Sequence, residues 1–253
     1  MRQYGLIGKT LGHSFSQAYF QQKFAAEERP DCRYDNFELP TIDFLRTFVL
    51  QHPDLQGFNV TIPYKKVILP FLDELDPEAE QIGAVNTVRV LRDGQGLHLI
   101  GFNTDVEGFQ LSIAGAPIPS RALVLGTGGA AAAVTFVLRQ LDVECLLVSR
   151  HPDANQISYG QLTPDIIREH PLIVNCTPVG MFPNIHEKPD LPYSALTDKH
   201  FLYDLIYNPE ETDFLREGNM RGARTQNGMR MLRLQAEAAW KIWNQPKRTL
   251  CSE

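Results

Sequence analysis

Two stretches of the chain hold residue types suited to redox and proton-transfer chemistry. Ala122-Leu123-Val124-Leu125 leads into Gly126-Thr127-Gly128-Gly129-Ala130-Ala131, a G-x-G-x-x-A pattern between a strand and a helix. The first Gly permits a tight turn, the second lets backbone approach a pyrophosphate, and the small residue at 131 lets helix and strand pack closely. The helix N-terminus adds unpaired N–H groups and a positive dipole end. This pattern points to dinucleotide binding; the alternative is a Gly-rich turn that serves packing only. An NAD site would carry Asp or Glu about 20 residues further on. Here Val148 is followed by Ser149-Arg150-His151. An Arg at that place can pair with a 2′-phosphate, so the pattern favours NADP over NAD.

The second stretch is Gly57-Phe58-Asn59-Val60-Thr61-Ile62-Pro63-Tyr64-Lys65. It places Asn59 and Thr61 on one face of a strand, with Lys65 just past its end. Asn59 and Thr61 could equally satisfy buried backbone, and Lys65 could be one more solvated lysine. Asn86 and Asp105 each follow a small, apolar or Gly-marked run. Asp105 could be the N-cap of a helix over 106–114. A Lys and an Asp brought together in a closed cleft would each hold the other's charge, and the Lys could relay a proton to an alkoxide or carbonyl oxygen. His13-Ser14-Phe15-Ser16 offers two hydroxyls suited to a carboxylate, or to capping a helix.

The elements that must carry these groups follow from the hydrophobic pattern. Strands are expected at 4–8, 34–39 and 57–62, with helices over 14–28, 41–51 and 65–72. Residues 87–92 and 97–102 flank Asp93-Gly94-Gln95-Gly96, which is good hairpin chemistry. A helix over 105–114 opens a second block. It continues with buried strands at 121–125, 144–148, 172–175 and 201–205 and a helix over 130–141. Alternation of strands and helices implies a parallel sheet. A last helix over 229–243 spaces Met231, Leu234, Ala238 and Ile242 for one face. The reading is α/β: a substrate block over 1–103, a nucleotide block over 104–228, and a terminal helix, 229–253, that packs back on the first block.

Composition limits the partners. The 253 residues are 43% hydrophobic, enough for a sizeable core, so global disorder is excluded. A formal charge of -6 argues against a chain that coats nucleic acid or an anionic membrane. The four cysteines, Cys32, Cys145, Cys176 and Cys251, make no C-x-x-C pair. They read as reduced thiols in a cytoplasmic protein. Neither a signal-peptide core nor a membrane span is expected, and no metal site.

The ordered set of these motifs resembles the shikimate dehydrogenase family over nearly the whole chain. Besides the segments above, Gly83-Ala84-Val85-Asn86-Thr87, Gly101-Phe102-Asn103-Thr104-Asp105, Asn175-Cys176-Thr177-Pro178-Val179-Gly180-Met181, Asp204-Leu205-Ile206-Tyr207-Asn208-Pro209 and Gly228-Met229 with Leu234-Gln235-Ala236 carry it. The resemblance implies two domains with a cleft between them and an NADP-dependent, reversible reduction of 3-dehydroshikimate to shikimate in aromatic biosynthesis. It implies Lys65 and Asp105 as the catalytic pair, Lys65 moving the proton and Asp105 orienting it and binding a substrate hydroxyl. Ser14 and Ser16 would hold the substrate carboxylate, with Asn59, Thr61, Asn86, Tyr207 and Gln235 completing the pocket. Gly126, Thr127, Gly128, Gly129, Ala130, Ala131, Ser149, Arg150, Thr177, Leu205 and Gly228 fall where the family contacts NADP. Two positions depart from the family's usual prolines: Gly8-Lys9-Thr10-Leu11, and Gln17 after Ser16. The usual Asn-Arg-Thr at the 2′-phosphate is Ser149-Arg150-His151 here, which keeps the Arg. A relative that also oxidises quinate, with relaxed substrate or cofactor choice, is the alternative. A non-catalytic NADP-binding regulator is another, and the acting species would be a monomer or a homodimer.

Overall fold

The computed structural model describes residues 1–12, 15–94 and 96–246. The chain forms two units, Met1–Thr104 with the segment from Ala236 onward, and Asp105–Gln235. Each is built on its own six-stranded sheet. Among the described residues no helix is long and apolar enough to cross a membrane.

The first unit runs β1 (Arg2–Gly8), α1 (Phe15–Ala26), β2 (Cys32–Glu38), α2 (Leu45–Gln51), β3 (Leu55–Val60), α3 (Tyr64–Val67), β4 (Glu74–Leu75), α4 (Pro77–Ile82), β5 (Thr87–Asp93) and β6 (Gly96–Phe102). The strand order is β2-β1-β3-β5-β6-β4. β1 pairs in parallel with β2 and β3, and the β5–β6 hairpin adds antiparallel to β3. Asp93 pairs with Gly96, which closes the hairpin where its turn chemistry placed it.

β3 lies two residues earlier than its apolar pattern suggests, ending at Val60 rather than Ile62. Pro63 has no N–H and restricts Ile62, so the ladder cannot continue. Thr61 makes one last bond, its N–H donating to the Ile7 carbonyl at 2.9 Å. Thr61 therefore lies beyond the strand rather than on a strand face shared with Asn59. The helix expected over 65–72 is α3 followed by a 3-10 turn at Leu69–Phe71, because Pro70 cannot extend α-helical bonding. The helix expected over 41–51 likewise splits into a 3-10 turn, Ile42–Phe44, and α2.

The two faces of this sheet bury different cores. Ile7, Leu45, Val49, Leu55, Phe58, Val88 and Leu99 pack on one side. Tyr4, Phe20, Phe24, Tyr34, Ala236, Ala239, Trp240 and Trp243 pack on the other, so the terminal helix does return to the first unit. Its buried stripe there only partly matches the expected one, since Ala238 is buried as expected. Ala236, Ala239, Trp240 and Trp243 follow helical spacing and are buried, whereas Ile242 is only half-buried. The alanines let the helix approach, and the indoles fill the space left. Trp243 stacks on Tyr4 at 5.0 Å and donates its indole N–H to the Val88 carbonyl at 3.0 Å.

The second unit contains α5 (Thr104–Ile113, from Asp105 on), β7 (Arg121–Leu125), α6 (Gly129–Gln140), β8 (Glu144–Ser149), β9 (Gln156–Ser158), α7 (Pro164–Glu169), β10 (Leu172–Asn175), β11 (Phe201–Asp204), α8 (Asp213–Asn219), β12 (Arg224–Gln226) and the first half of α9 (Met229–Trp243). All five strand pairings are parallel, in the order β12-β11-β10-β7-β8-β9. The chain goes from β7 to β8 on one side and then to β10 on the other. The carboxyl end of β7 is thus a topological switch point, where open parallel sheets bind ligands. β7, β10 and β11 are buried along almost their whole length, which explains their unbroken apolar runs.

Candidate functional site

In the first unit, the polar residues at the end of β3 form a closed lattice. The buried Tyr34 hydroxyl, on β2, donates to Asn59 Oδ1 at 2.8 Å. Asn59 Nδ2 donates to Thr87 Oγ1 at 3.0 Å and to the Asn86 carbonyl at 3.3 Å. Asn86 Oδ1 accepts from the Thr104 N–H at 2.7 Å and from the hydroxyls of Thr87 and Thr104, each at 3.1 Å. Asn59, Asn86, Thr87 and Thr104 are all buried. Ser16, in the first turn of α1, hydrogen-bonds Tyr34, whose phenol is pushed well above its ordinary range, chiefly by burial. Tyr34, Thr87 and Thr104 were not expected to take part. Ser14 lies outside the described residues.

Lys65 enters this region through its backbone. It sits half-buried in α3, and its carbonyl accepts from the Val85 N–H at 2.7 Å, the residue before Asn86. The register of Lys65 is thereby tied to the lattice. Thr61, also half-buried, stands between β3 and α3.

In the second unit, Asp105 is in the first turn of α5 and buried. The helix already includes Thr104, so Asp105 is not its N-cap. A carboxylate in a first turn faces the positive end of the helix dipole. One turn on, at Gly108, an added Cβ would lie 2.9 Å from both Gln235 Cβ and the Met231 carbonyl. Asp105 and Gly108 share a face by their spacing, so Asp105 is on the face of α5 that meets Gln235. Gln235 is buried and donates from Nε2 to the Leu232 carbonyl at 2.9 Å. Tyr207 is half-buried just past the end of β11.

The glycine turn has the geometry its pattern required. Gly126 holds φ at 101°, a left-handed conformation that a side chain would strain. Its N–H donates to the Val148 carbonyl at 2.8 Å, which anchors the turn to β8. Gly128 is the N-cap of α6 with no side-chain cap, and Gly129 opens that helix. A Cβ on Gly128 would meet no protein atom within 4 Å. The protein itself does not demand a glycine there, so the free space and uncapped N–H groups suit a phosphate. Ala131 is fully buried where helix and strand meet. At the end of β8, Ser149 Oγ accepts from the His151 N–H at 3.1 Å, and the exposed Arg150 lies close enough to lower the Tyr159 pKa against burial, which raises it. These residues fit a phosphorylated dinucleotide.

The carboxyl ends of β10 and β11 hold a cluster that spacing did not single out. Asp204 is fully buried, and burial pushes its carboxyl up to about 7. It accepts from the Thr212 hydroxyl at 2.6 Å, from Asn175 Nδ2 at 3.0 Å and from the Ile206 N–H at 3.0 Å. Asn175 Oδ1 in turn accepts from the Thr177 hydroxyl at 2.7 Å and its N–H at 3.1 Å.

Comparison with known proteins agrees with this construction. The model of the shikimate dehydrogenase substrate binding domain matches residues 6–88. A shikimate dehydrogenase (NADP+) of Caldicellulosiruptor saccharolyticus is 37% identical, over 96% of this chain and 92% of its own. The crystal structure of shikimate 5-dehydrogenase from Thermus thermophilus, in complex with NADP(H) and shikimate, superposes with a TM-score of 0.83 at 32% identity, covering 96% of this chain and 94% of that one. Quinate dehydrogenase from Corynebacterium glutamicum, in complex with NAD, gives 0.82 at 28% identity, over 96% and 93%. With such identity sustained along nearly all of both chains, this chain belongs to the shikimate dehydrogenase family.

Proposed function

We propose that this protein catalyses the reversible, NADP-dependent reduction of 3-dehydroshikimate to shikimate, a step of aromatic biosynthesis. The observation that carries the reading is the lattice in the first unit, which ties Lys65 through Val85 to the same residues, Asn59 and Asn86, that resemble the family's substrate contacts. Bound NADP supplies the hydride chemistry. The chain supplies position, polarity and one proton. The Lys65 ammonium gives its proton to the substrate carbonyl oxygen as that becomes a hydroxyl, and takes it back in the reverse direction. Asp105 accepts from a neighbouring substrate hydroxyl and so orients the reacting group. Ser14 and Ser16 hold the substrate carboxylate, while Asn59, Thr61, Asn86, Tyr207 and Gln235 read the ring hydroxyls.

Gly126 to Ala131 hold the pyrophosphate against α6, and Ser149 and Arg150 hold the 2′-phosphate. Thr177, Leu205 and Gly228 add further contacts to NADP. The absence of a carboxylate after Val148 supports NADP over NAD. The reaction runs in the cytoplasm, where thiols outside disulfides, such as Cys32 and Cys145, persist, by a monomer or homodimer. The test is the reduced-nicotinamide absorbance of protein mixed with shikimate or quinate and NADP or NAD. Fast reduction of NADP by shikimate, with little of NAD, is expected. Activity confined to quinate or NAD would move the assignment to a quinate-type enzyme. No turnover from folded protein that still binds NADP would make it a regulator.

A further inference from the structure

A buried carboxylate with no cation beside it is an expensive way to hold a fold together. Among the described residues no ion pair reaches Asp204. An isolated charge in an apolar interior costs far more than the hydrogen bonds it makes usually return. A neutral side chain of the same size would tie β10 to β11 more cheaply. What distinguishes Asp204 is where its three donors lead. Asn175 is the last residue of β10, and its other amide atom holds both the N–H and the hydroxyl of Thr177. The Ile206 N–H folds the chain just after Leu205, and the Ile206 carbonyl accepts from the Gly228 N–H at 2.9 Å. Gly228 comes so close that an added Cβ would stand 2.0 Å from the Leu205 carbonyl oxygen. Thr212, the N-cap of α8, braces the carboxylate from behind through its second oxygen.

We propose that Asp204, acting through Asn175 and Ile206, is the positioning residue that sets Thr177, Leu205 and Gly228 in the arrangement that receives the cofactor. This rests on the NADP reading above. An acceptor-only group suits the task. Two carboxylate oxygens accept from three donors on three segments at once, so none of the segments can rotate away without leaving a buried donor unpaired.

The experiment compares Asp204→Ala, Asn175→Ala and Asp204→Asn with the wild type, each first shown to unfold cooperatively. Two readouts are taken: amide hydrogen exchange of the protein without cofactor, and the NADP dissociation constant alongside KM for NADP and for shikimate. In both alanine variants, exchange is expected to rise at 177, 179, 205, 206 and 228 while the turn at 126–131 is unchanged. NADP affinity is expected to fall roughly tenfold, the size of one lost buried hydrogen-bond partner, with KM for shikimate unchanged. Asp204→Asn keeps the Asn175 and Ile206 bonds and should recover most of that loss. Unchanged exchange and unchanged NADP affinity in a folded Asn175→Ala would overturn the proposal, even if Asp204→Ala does not fold. So would equal rises in both KM values, or an Asp204→Asn as impaired as the alanine. Wild-type protein that binds no NADP would instead remove the reading beneath it, while the exchange result would still decide whether Asp204 orders these segments.

Discussion

The polar lattice of the first unit and the Asp204 cluster of the second solve one problem in opposite ways. Both hold loops in place at strand ends. The first uses only phenol, amide and hydroxyl groups: Tyr34, Asn59, Asn86, Thr87 and Thr104. The second uses a carboxylate. Under the proposed function Lys65 moves a proton beside the first cluster, and a buried structural charge there would compete with it for the same field. A neutral lattice does not. In the second unit the donors all come from the protein, so one acceptor can gather them. In the proposed function the cluster built without charge lies beside the lysine that moves the proton, and the cluster built on a carboxylate only positions cofactor-binding segments.

This division makes the largest effect fall at Lys65. Lys65→Ala should lower turnover about 10²–10⁴-fold, the range of a lost general acid, and leave NADP affinity intact. Steady-state kinetics with shikimate and NADP, beside cofactor titration, would check it. Wild-type turnover would show that the neutral region is scaffolding after all.

The next effect is a pH dependence confined to the charged region. The Asp204 carboxyl is raised by burial from 3.8 to about 7. Between those values the folded protein keeps a proton that the unfolded chain has released. That contribution to stability is complete below about pH 4 and is lost as pH rises through about 7. Asp204→Asn carries no such proton, so its melting temperature should gain on the wild type steadily between pH 4 and 8. Tyr193 and Tyr203 are both raised chiefly by burial and slightly by the Asp204 charge, Tyr203 to about 12, and stay neutral throughout. Parallel melting curves across that range would mean that Asp204 is ionised in the folded protein as in the unfolded chain, with no raised pKa. The neutral lattice offers the counterpart. Asn86→Ala would leave the Thr104 N–H and two hydroxyls without their acceptor. A loss of about 2 kcal/mol is expected in urea unfolding, with no pH dependence.

Much of the frame, though less of either cluster, was legible in the sequence. β7, the glycine turn and α6 could be read because a fully buried parallel strand is an unbroken apolar run and the turn needs glycines at fixed places. β9 and β12 have three residues each, too few for alternation to show. α7 and α8 are short, although Thr163 before Pro164 and Thr212 before Asp213 are capping signals that could have found them. In α9 the expected stripe missed Trp240 and Trp243, because the partner of a helix decides which face is buried. Tyr34 and Asn59 are 25 residues apart and on strands separated by β1. Asn175 and Asp204 are 29 apart on neighbouring strands. Spacing along the chain does not reveal such pairs; they meet only through sheet register. Asp204 stood in a recognised motif, yet nothing in its neighbours announced a buried charge.

The smallest effect concerns the one charge in the cofactor reading that is not buried. Arg150 is exposed at the end of β8, whereas Asp204 is enclosed. Exposed charges are screened by salt, and enclosed ones are not. Arg150→Ala should raise KM for NADP by about tenfold at low ionic strength, comparable to one charge-assisted hydrogen bond, and leave KM for NAD where it was. The penalty should shrink as salt is added, because salt also weakens the wild-type contact. The loss in Asn175→Ala should be the same at every salt concentration, since it acts through buried side-chain hydrogen bonds. If both variants respond to salt alike, the cofactor surface is held by surface charge rather than by the buried cluster. If neither responds, the Arg150 contact is itself shielded from water when cofactor is bound. Kinetics in two salt concentrations, with both cofactors, separate these cases because geometry has no Debye length and an exposed guanidinium does.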